Sequence, residues 1–158
     1  MVSQTSTKQR IKQFLADHTT LTLATVSADG HPQTAPLFFA ETDDLSLIFI
    51  SESKARHSKN IARNSNVAAT IYADGQHWQS IQGLQIEGIC SLLSGQATKT
   101  AKDIYLQKFP FIQQNRVLRV MLNTVTFYQI TPTWIRLIDN SRGFGHKEEI
   151  KLSTRAKN

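Results

Sequence analysis

The chain has 158 residues, of which 40% are hydrophobic and 19% are charged, and its formal net charge is +6. This composition predicts one globular domain and excludes disorder over most of the chain, because disordered chains contain fewer apolar residues. No apolar run is as long as the about 18 residues that a transmembrane helix needs. The first residues are polar and lack the apolar segment of a signal peptide. We therefore predict a single domain over 1–152, a flexible basic tail over 153–158, and no membrane partner.

Apolar periodicity and turn residues divide the chain into helices and strands. Helices are predicted over 6–17, 54–63 and 98–109. Strands are predicted over 21–26, 33–40, 45–51, 67–72, 78–93, 125–130 and 134–138. Short turns such as Asp29-Gly30 connect neighbouring strands. The pattern therefore predicts a mainly β protein, an antiparallel, closed or partly closed barrel with flanking helices.

Proline and glycine add local predictions. Pro36 cannot donate to a sheet ladder, so the second strand is expected to be an edge or to carry a bulge. Gly83 and Gly88 are expected to relax or bulge the long fifth strand. The run Thr131-Pro132-Thr133 is expected to separate the two closing strands.

Charge is distributed unevenly along the chain. Residues 13–53 contain acidic residues but no Lys or Arg, whereas 54–63 contains Lys54, Arg56, Lys59 and Arg63. A basic surface suggests an anionic partner. Nucleic acid is disfavoured, because the basic residues lack interleaved aromatics and a recognisable reading motif. A small phosphorylated ligand needs less charge and suits one compact cluster better.

The number of cysteines and the spacing of histidines argue against disulfides and metal sites. Cys90 is the single cysteine, so it forms no internal disulfide, fits a reducing compartment such as the cytoplasm, and excludes a zinc site built on thiolates. In its apolar strand it is expected to be an inert, buried thiol. The histidines have no metal-ligand spacing; they are His18, His31, His57, His77 and His146.

The segment 51–57 is the candidate site that the residues themselves suggest. It lies between a predicted buried strand and a helix start that Ser51 or Ser53 can cap. In that helix Lys54 and His57, three residues apart, share one face. Free N–H groups and the helix dipole favour an anion such as a terminal phosphate there. The alternative is a capped surface helix whose basic residues are merely solvated.

The order of several short motifs resembles the pyridoxamine 5′-phosphate oxidase-like family of FMN-binding split barrels. The motifs are the run DGHPQTAP at 29–36, Ser53-Lys54, the stretch 60–68, the run QGLQIEG at 82–88, and Trp134–Leu137. Each motif is weak alone, and together they span about residues 8–140. The ending 139–147 further resembles an uncharacterised bacterial branch of that superfamily.

The resemblance implies a homodimer that binds FMN in a groove between its subunits. It implies that Lys54 and His57 contact the phosphate and that Ser51 and Ser53 add hydrogen bonds. Gln33 and Thr34 are then expected beside the isoalloxazine ring. Trp134 is expected to approach the flavin from the partner subunit.

Two departures argue against the oxidase reaction itself. Gln82-Gly83 stands where the family has an arginine-glutamine pair, and the C-terminal arginine and histidine that hold pyridoxal phosphate have no clear match. The expected function is an FMN-dependent oxidoreductase that transfers hydride or electrons to or from a small molecule. The alternatives are a haem-binding or haem-degrading split barrel and a non-enzymatic flavin-binding module.

Large apolar residues occur on both faces of several predicted strands. This pattern predicts that an outer face of the barrel is covered. The set comprises Phe38, Phe39, Ile48, Phe49, Ile86, Ile89, Leu92, Phe127, Ile130, Trp134, Ile135 and Leu137. Alternation along a strand sends half of such residues outward. Either a second copy of the chain or the protein's own helices must cover them.

Overall fold

The structure, a computed structural model, describes residues 4–153, with side chains from residue 6 onward. The helices are α1 (Gln4–Asp17), α2 (Arg56–Arg63), α3 (Gly95–Lys108), α4 (Phe111–Gln114) and α5 (Arg116–Leu122). The strands are β1 (Thr20–Val26), β2 (Pro32–Phe38), β3 (Ala40–Glu41), β4 (Leu47–Ser51), β5 (Asn66–Tyr72), β6 (Gln82–Leu92), β7 (Thr126–Asp139) and β8 (Lys147–Lys151). Within 4–153, no helix has both the length and the apolar character needed to cross a membrane. Most of the predicted tail lies outside the described residues.

The strands form one antiparallel sheet that curls into a half-barrel, as predicted. Its order is β2-β1-β5-β6-β7-β4-β3. The start of β7 pairs with β4 and its end with β8, so these two strands share one side of β7. β2 and β4 approach each other without pairing, which leaves the barrel split there. β2 is therefore an edge strand, which confirms the prediction from Pro36.

The prediction that Thr131-Pro132-Thr133 separates two closing strands is wrong, because β7 runs unbroken through Pro132. Glu87 of β6 pairs with Trp134 and Gly88 pairs with Pro132, so Thr133 is the extra residue of a bulge. A Cβ at position 88 would lie 2.6 Å from the carbonyl oxygen of Thr131. Glycine in β6 thus lets the two backbones approach, and the bulge accommodates the proline within the strand.

Other boundaries also differ from the prediction. β6 begins at Gln82, because Trp78 belongs to the turn before it. β4 begins at Leu47, after a turn in which Leu45 adopts a φ of 69°. β8, α4 and α5 were not predicted. β8 has a polar sequence in which only Ile150 is buried. It therefore lacks the alternation of apolar and polar residues from which a strand is predicted.

The sheet separates two hydrophobic cores. The inner core fills the half-barrel and includes Leu23, Phe49 and Ile86. The outer core lies under α3, α4 and α5, where Tyr105 and Phe109 pack with the outward side chains of β4 and β7. The protein's own helices therefore cover part of the outer face. Side chains on the outer face of β1, β5 and the second half of β7 stay at least partly exposed.

Cys90 is buried in the inner core, as predicted. Burial raises the pKa of its thiol to about 12. The thiolate is therefore scarce at neutral pH, and the side chain acts as a small apolar group.

Candidate functional site

The turn before α2 differs from the predicted helix start. α2 begins at Arg56, and Ala55 occupies the N-cap position without a capping side chain. Ser53 and Lys54 lie in the preceding turn, which is closed by a 3.1 Å hydrogen bond from the Ala55 N–H to the Glu52 carbonyl. The expectations that Ser51 or Ser53 caps the helix and that Lys54 shares a helical face with His57 are therefore wrong. The chain therefore makes a turn from Glu52 to Ala55 before it becomes helical.

This start leaves backbone donors available beside a cation. The first N–H groups of a helix have no partner within it, and the alanine at the N-cap cannot accept from them. Ser53 and Lys54 are exposed next to these groups. N–H donors, a hydroxyl, an ammonium group and the positive end of the helix dipole suit a phosphate. The residues present thus fit the phosphate group of a flavin mononucleotide.

A buried hydrogen bond underlies this turn. Nε2 of His57 lies 2.6 Å from Oγ of Ser51, and each residue is 9% exposed. Burial lowers the pKa of the His57 imidazole, so the ring is neutral at pH 7. The Ser58 hydroxyl donates to the Glu52 carbonyl at 2.8 Å. His57 therefore holds α2 against the end of β4, and the exposed charged side chains of the turn are those of Glu52 and Lys54.

A second group of buried polar side chains joins α2 to β1 and β2. Nδ2 of Asn60 donates to Oγ1 of Thr25 at 3.0 Å and to Oε1 of Gln33 at 3.3 Å. Asn60 is 6% exposed and Thr25 is 1% exposed. Sequence reasoning found Gln33 but missed its two partners. The available signal was Thr25, a polar residue that faces the same inner side of β1 as Leu23.

Thr34 faces the opposite side of β2 from Gln33, because side chains alternate along a strand. It lines a hollow of about 710 Å³ on the outer face of five strands, and Trp134 lines the same hollow. Small side chains contribute to its lining, namely those of Ala24 and Ala68, whereas the Ala69 side chain points into the inner core.

Trp134 is held at the rim of this hollow by polar contacts. Its Nε1 donates to Oε2 of Glu149 at 3.3 Å, and the Arg136 guanidinium lies 4.8 Å from the centre of its ring. Arg136 also pairs with Glu149 at 2.6 Å, and the hydrogen bond from Arg136 lowers the pKa of that carboxyl. The indole is therefore fixed by a cation and an anion on neighbouring strands.

The sequence-predicted site residues thus form three groups in one copy of the chain. Ser51, Ser53, Lys54 and His57 surround the turn before α2. Gln33 lies under α2 on the inner face, and Thr34 and Trp134 share the outer hollow.

A curled antiparallel half-barrel with helices over one end and one outer face defines a split β-barrel protein. The family model described as "Pyridoxamine 5′-phosphate oxidase" matches residues 7–139. The chain belongs to this family.

Known proteins agree with this assignment. A UPF0306 protein of Photorhabdus laumondii is 28% identical over 146 residues, which cover 92% of this chain and 96% of that protein. A conserved hypothetical protein of Mycobacterium tuberculosis superposes with a TM-score of 0.72 at 18% identity, covering 98% of this chain and 94% of that one. A heme binding protein from Mycobacterium smegmatis superposes with a TM-score of 0.75 at 14% identity, covering 95% of this chain and 60% of that one. At these identities the solved structures establish the fold alone.

Proposed function

We propose that the protein binds FMN as a homodimer and acts as an oxidoreductase on a small molecule. The observation that carries this proposal is the uncapped start of α2, with exposed Lys54 and Ser53 beside it, in a member of a family named for a phosphate-recognising oxidase. FMN, when bound, supplies the hydride or electron transfer.

The chain's own residues bind and orient the cofactor. Lys54 and the N–H groups of α2 hold the phosphate, and the Ser53 hydroxyl adds a hydrogen bond. His57 keeps Ser51 and the turn in place. Asn60 donates to Oε1 of Gln33, and Nε2 of Gln33 donates to the Thr34 carbonyl at 3.5 Å, which leaves its second N–H to turn toward the flavin ring.

The hollow on the outer face supports the proposed homodimer. Small residues on its floor let a second backbone approach closely, and Thr34 and Trp134 lie at its edge. A two-fold pair is the commonest arrangement of soluble oligomers, and it places the same hollow on both sides of the interface. Trp134 of one copy then reaches the flavin that the other copy binds. A reducing compartment such as the cytoplasm suits a chain whose only cysteine is buried.

Titration of the purified protein with FMN, riboflavin and haemin in separate experiments tests the proposal. We expect quenched flavin fluorescence with one FMN per chain and weaker uptake of riboflavin, which lacks the phosphate. Haem is the competing candidate, because the heme binding protein from Mycobacterium smegmatis has the same fold. A Soret band on haemin addition without any uptake of FMN would overturn the proposal. FMN uptake without any turnover of NADH, NADPH or dye acceptors would leave a non-enzymatic flavin-binding module.

A further inference from the structure

An apolar pocket of about 200 Å³ opens beside β2 and β4, under α4 and α5. Its walls are aromatic and aliphatic, and they include Phe38, Ile50, Phe109 and Leu118. Phe38 and Met121, which also line it, are 51% and 52% exposed, so the pocket is open at its rim. An apolar cavity of about 150 Å³ is already large enough to stay dry and bind benzene. The pocket therefore has room for one small ring compound.

Among the residues that line the pocket, only Tyr105 has a side-chain hydroxyl. Tyr105 is 3% exposed, and within residues 6–153 no hydrogen bond reaches its hydroxyl, whose oxygen still contacts solvent. Water can occupy this donor when the pocket is empty, and a ligand atom that accepts a hydrogen bond can replace that water. Burial also raises the pKa of this phenol to about 12, so the group stays protonated and can donate. An acceptor atom on a bound molecule would satisfy it.

The pocket lies near the site proposed for the flavin. Thr34, Pro36 and Phe38 alternate outward along β2, so Thr34 in the outer hollow and Phe38 in the pocket lie roughly 13 Å apart on one edge. On the neighbouring strand, Ile50 lines the pocket and directly precedes Ser51. A molecule in the pocket therefore lies beside both strands that carry the flavin contacts.

We infer that this pocket binds a small, uncharged ring compound with one hydrogen-bond acceptor, such as an aryl carbonyl, which Tyr105 recognises. The assignment of this compound as the substrate of the protein rests on the proposed function. A charged or phosphorylated substrate is excluded from the pocket, because its apolar walls offer no counter-ion.

The first experiment measures apolar binding with a small neutral fluorescent probe, 1-aminonaphthalene, in the absence of flavin. We expect saturable binding, weakened about tenfold by Met121→Glu, which brings a carboxylate to the rim. The matched control is Val117→Glu on the same helix, because Val117 is 66% exposed and does not line the pocket. Absence of probe binding, or equal weakening by both variants, would overturn the inference. So would a fall from dimer to monomer in Met121→Glu alone, since that would show a second copy on this face.

The second experiment tests the hydroxyl with two competitors of similar size, acetophenone and ethylbenzene. We expect acetophenone to displace the probe about five- to tenfold more effectively, because its carbonyl can accept from Tyr105. Tyr105→Phe removes only the hydroxyl and should abolish this difference without changing displacement by ethylbenzene. A preference that persists in Tyr105→Phe would overturn the assignment of Tyr105. These signals are independent of FMN, so loss of the proposed flavin function and loss of the pocket's function are distinguishable.

Discussion

Oγ of Ser51, at the end of β4, lies 2.6 Å from Nε2 of His57, in the first turn of α2. This contact joins the strand to the helix across the turn that holds Ser53 and Lys54. A buried neutral pair therefore positions the turn, and the exposed Lys54 supplies its positive charge.

Replacement of Lys54 by alanine should lower the affinity for FMN about ten- to hundredfold, because a charge-assisted hydrogen bond to the phosphate is lost. Riboflavin, which has no phosphate, should be affected much less. Fluorescence titrations with both flavins measure the difference. Lys59→Ala is the matched control, since Lys59 is also exposed but lies further along α2. Equal weakening of both flavins would contradict the assignment of Lys54 to the phosphate.

Acid should destabilise the protein partly through His57. Burial lowers the pKa of His57 below its usual 6.5, so the unfolded chain binds a proton more readily than the folded one. This contribution is complete above pH 6.5 and is lost as the pH falls through the lowered value. Urea unfolding at pH 7.5 and pH 5 measures it. His57→Gln can keep a hydrogen bond to Ser51 but does not titrate, so it should lose less stability over this interval. An equal loss in both proteins would show that His57 is not responsible.

Replacement of Thr25 by valine should lower the free energy of unfolding by about 1–3 kcal/mol, because it removes a partner of the buried Asn60 amide. Thr22→Val is the control on the same strand, since Thr22 lies on the outer face and is only half-buried. Urea denaturation compares the two variants. FMN affinity should also fall in Thr25→Val, because Gln33 shares this network. A stability change that is the same at both positions would contradict a specific role for the network.

Replacement of Ala68 by arginine should convert the proposed dimer into a monomer and release FMN. Ala68 lines the outer hollow, where a long charged side chain would block the approach of a second copy. Sedimentation velocity and the fluorescence of released flavin report the two effects. Ala97→Arg, at an exposed position on α3, is the control and should change neither. A wild-type monomer at micromolar concentration that still binds FMN tightly would refute the interface model.

The fold and part of the site could be predicted from local signals. Alternating apolar residues and the turn at Asp29-Gly30 predicted the antiparallel sheet, and Pro36 predicted an edge strand. The position of Ser53-Lys54 after a predicted buried strand indicates a candidate anion site from the sequence alone. These features depend on residues that are neighbours in sequence, so their spacing alone carries the information.

Contacts between distant residues were decided only by the tertiary structure. Thr25, Gln33 and Asn60 meet because α2 packs against β1 and β2. The pocket around Tyr105 exists because α4 and α5 fold back over β4, and their short sequences carry no strong helical period. Such sites depend on which faces pack together, and packing is a property of the whole chain rather than of any local pattern.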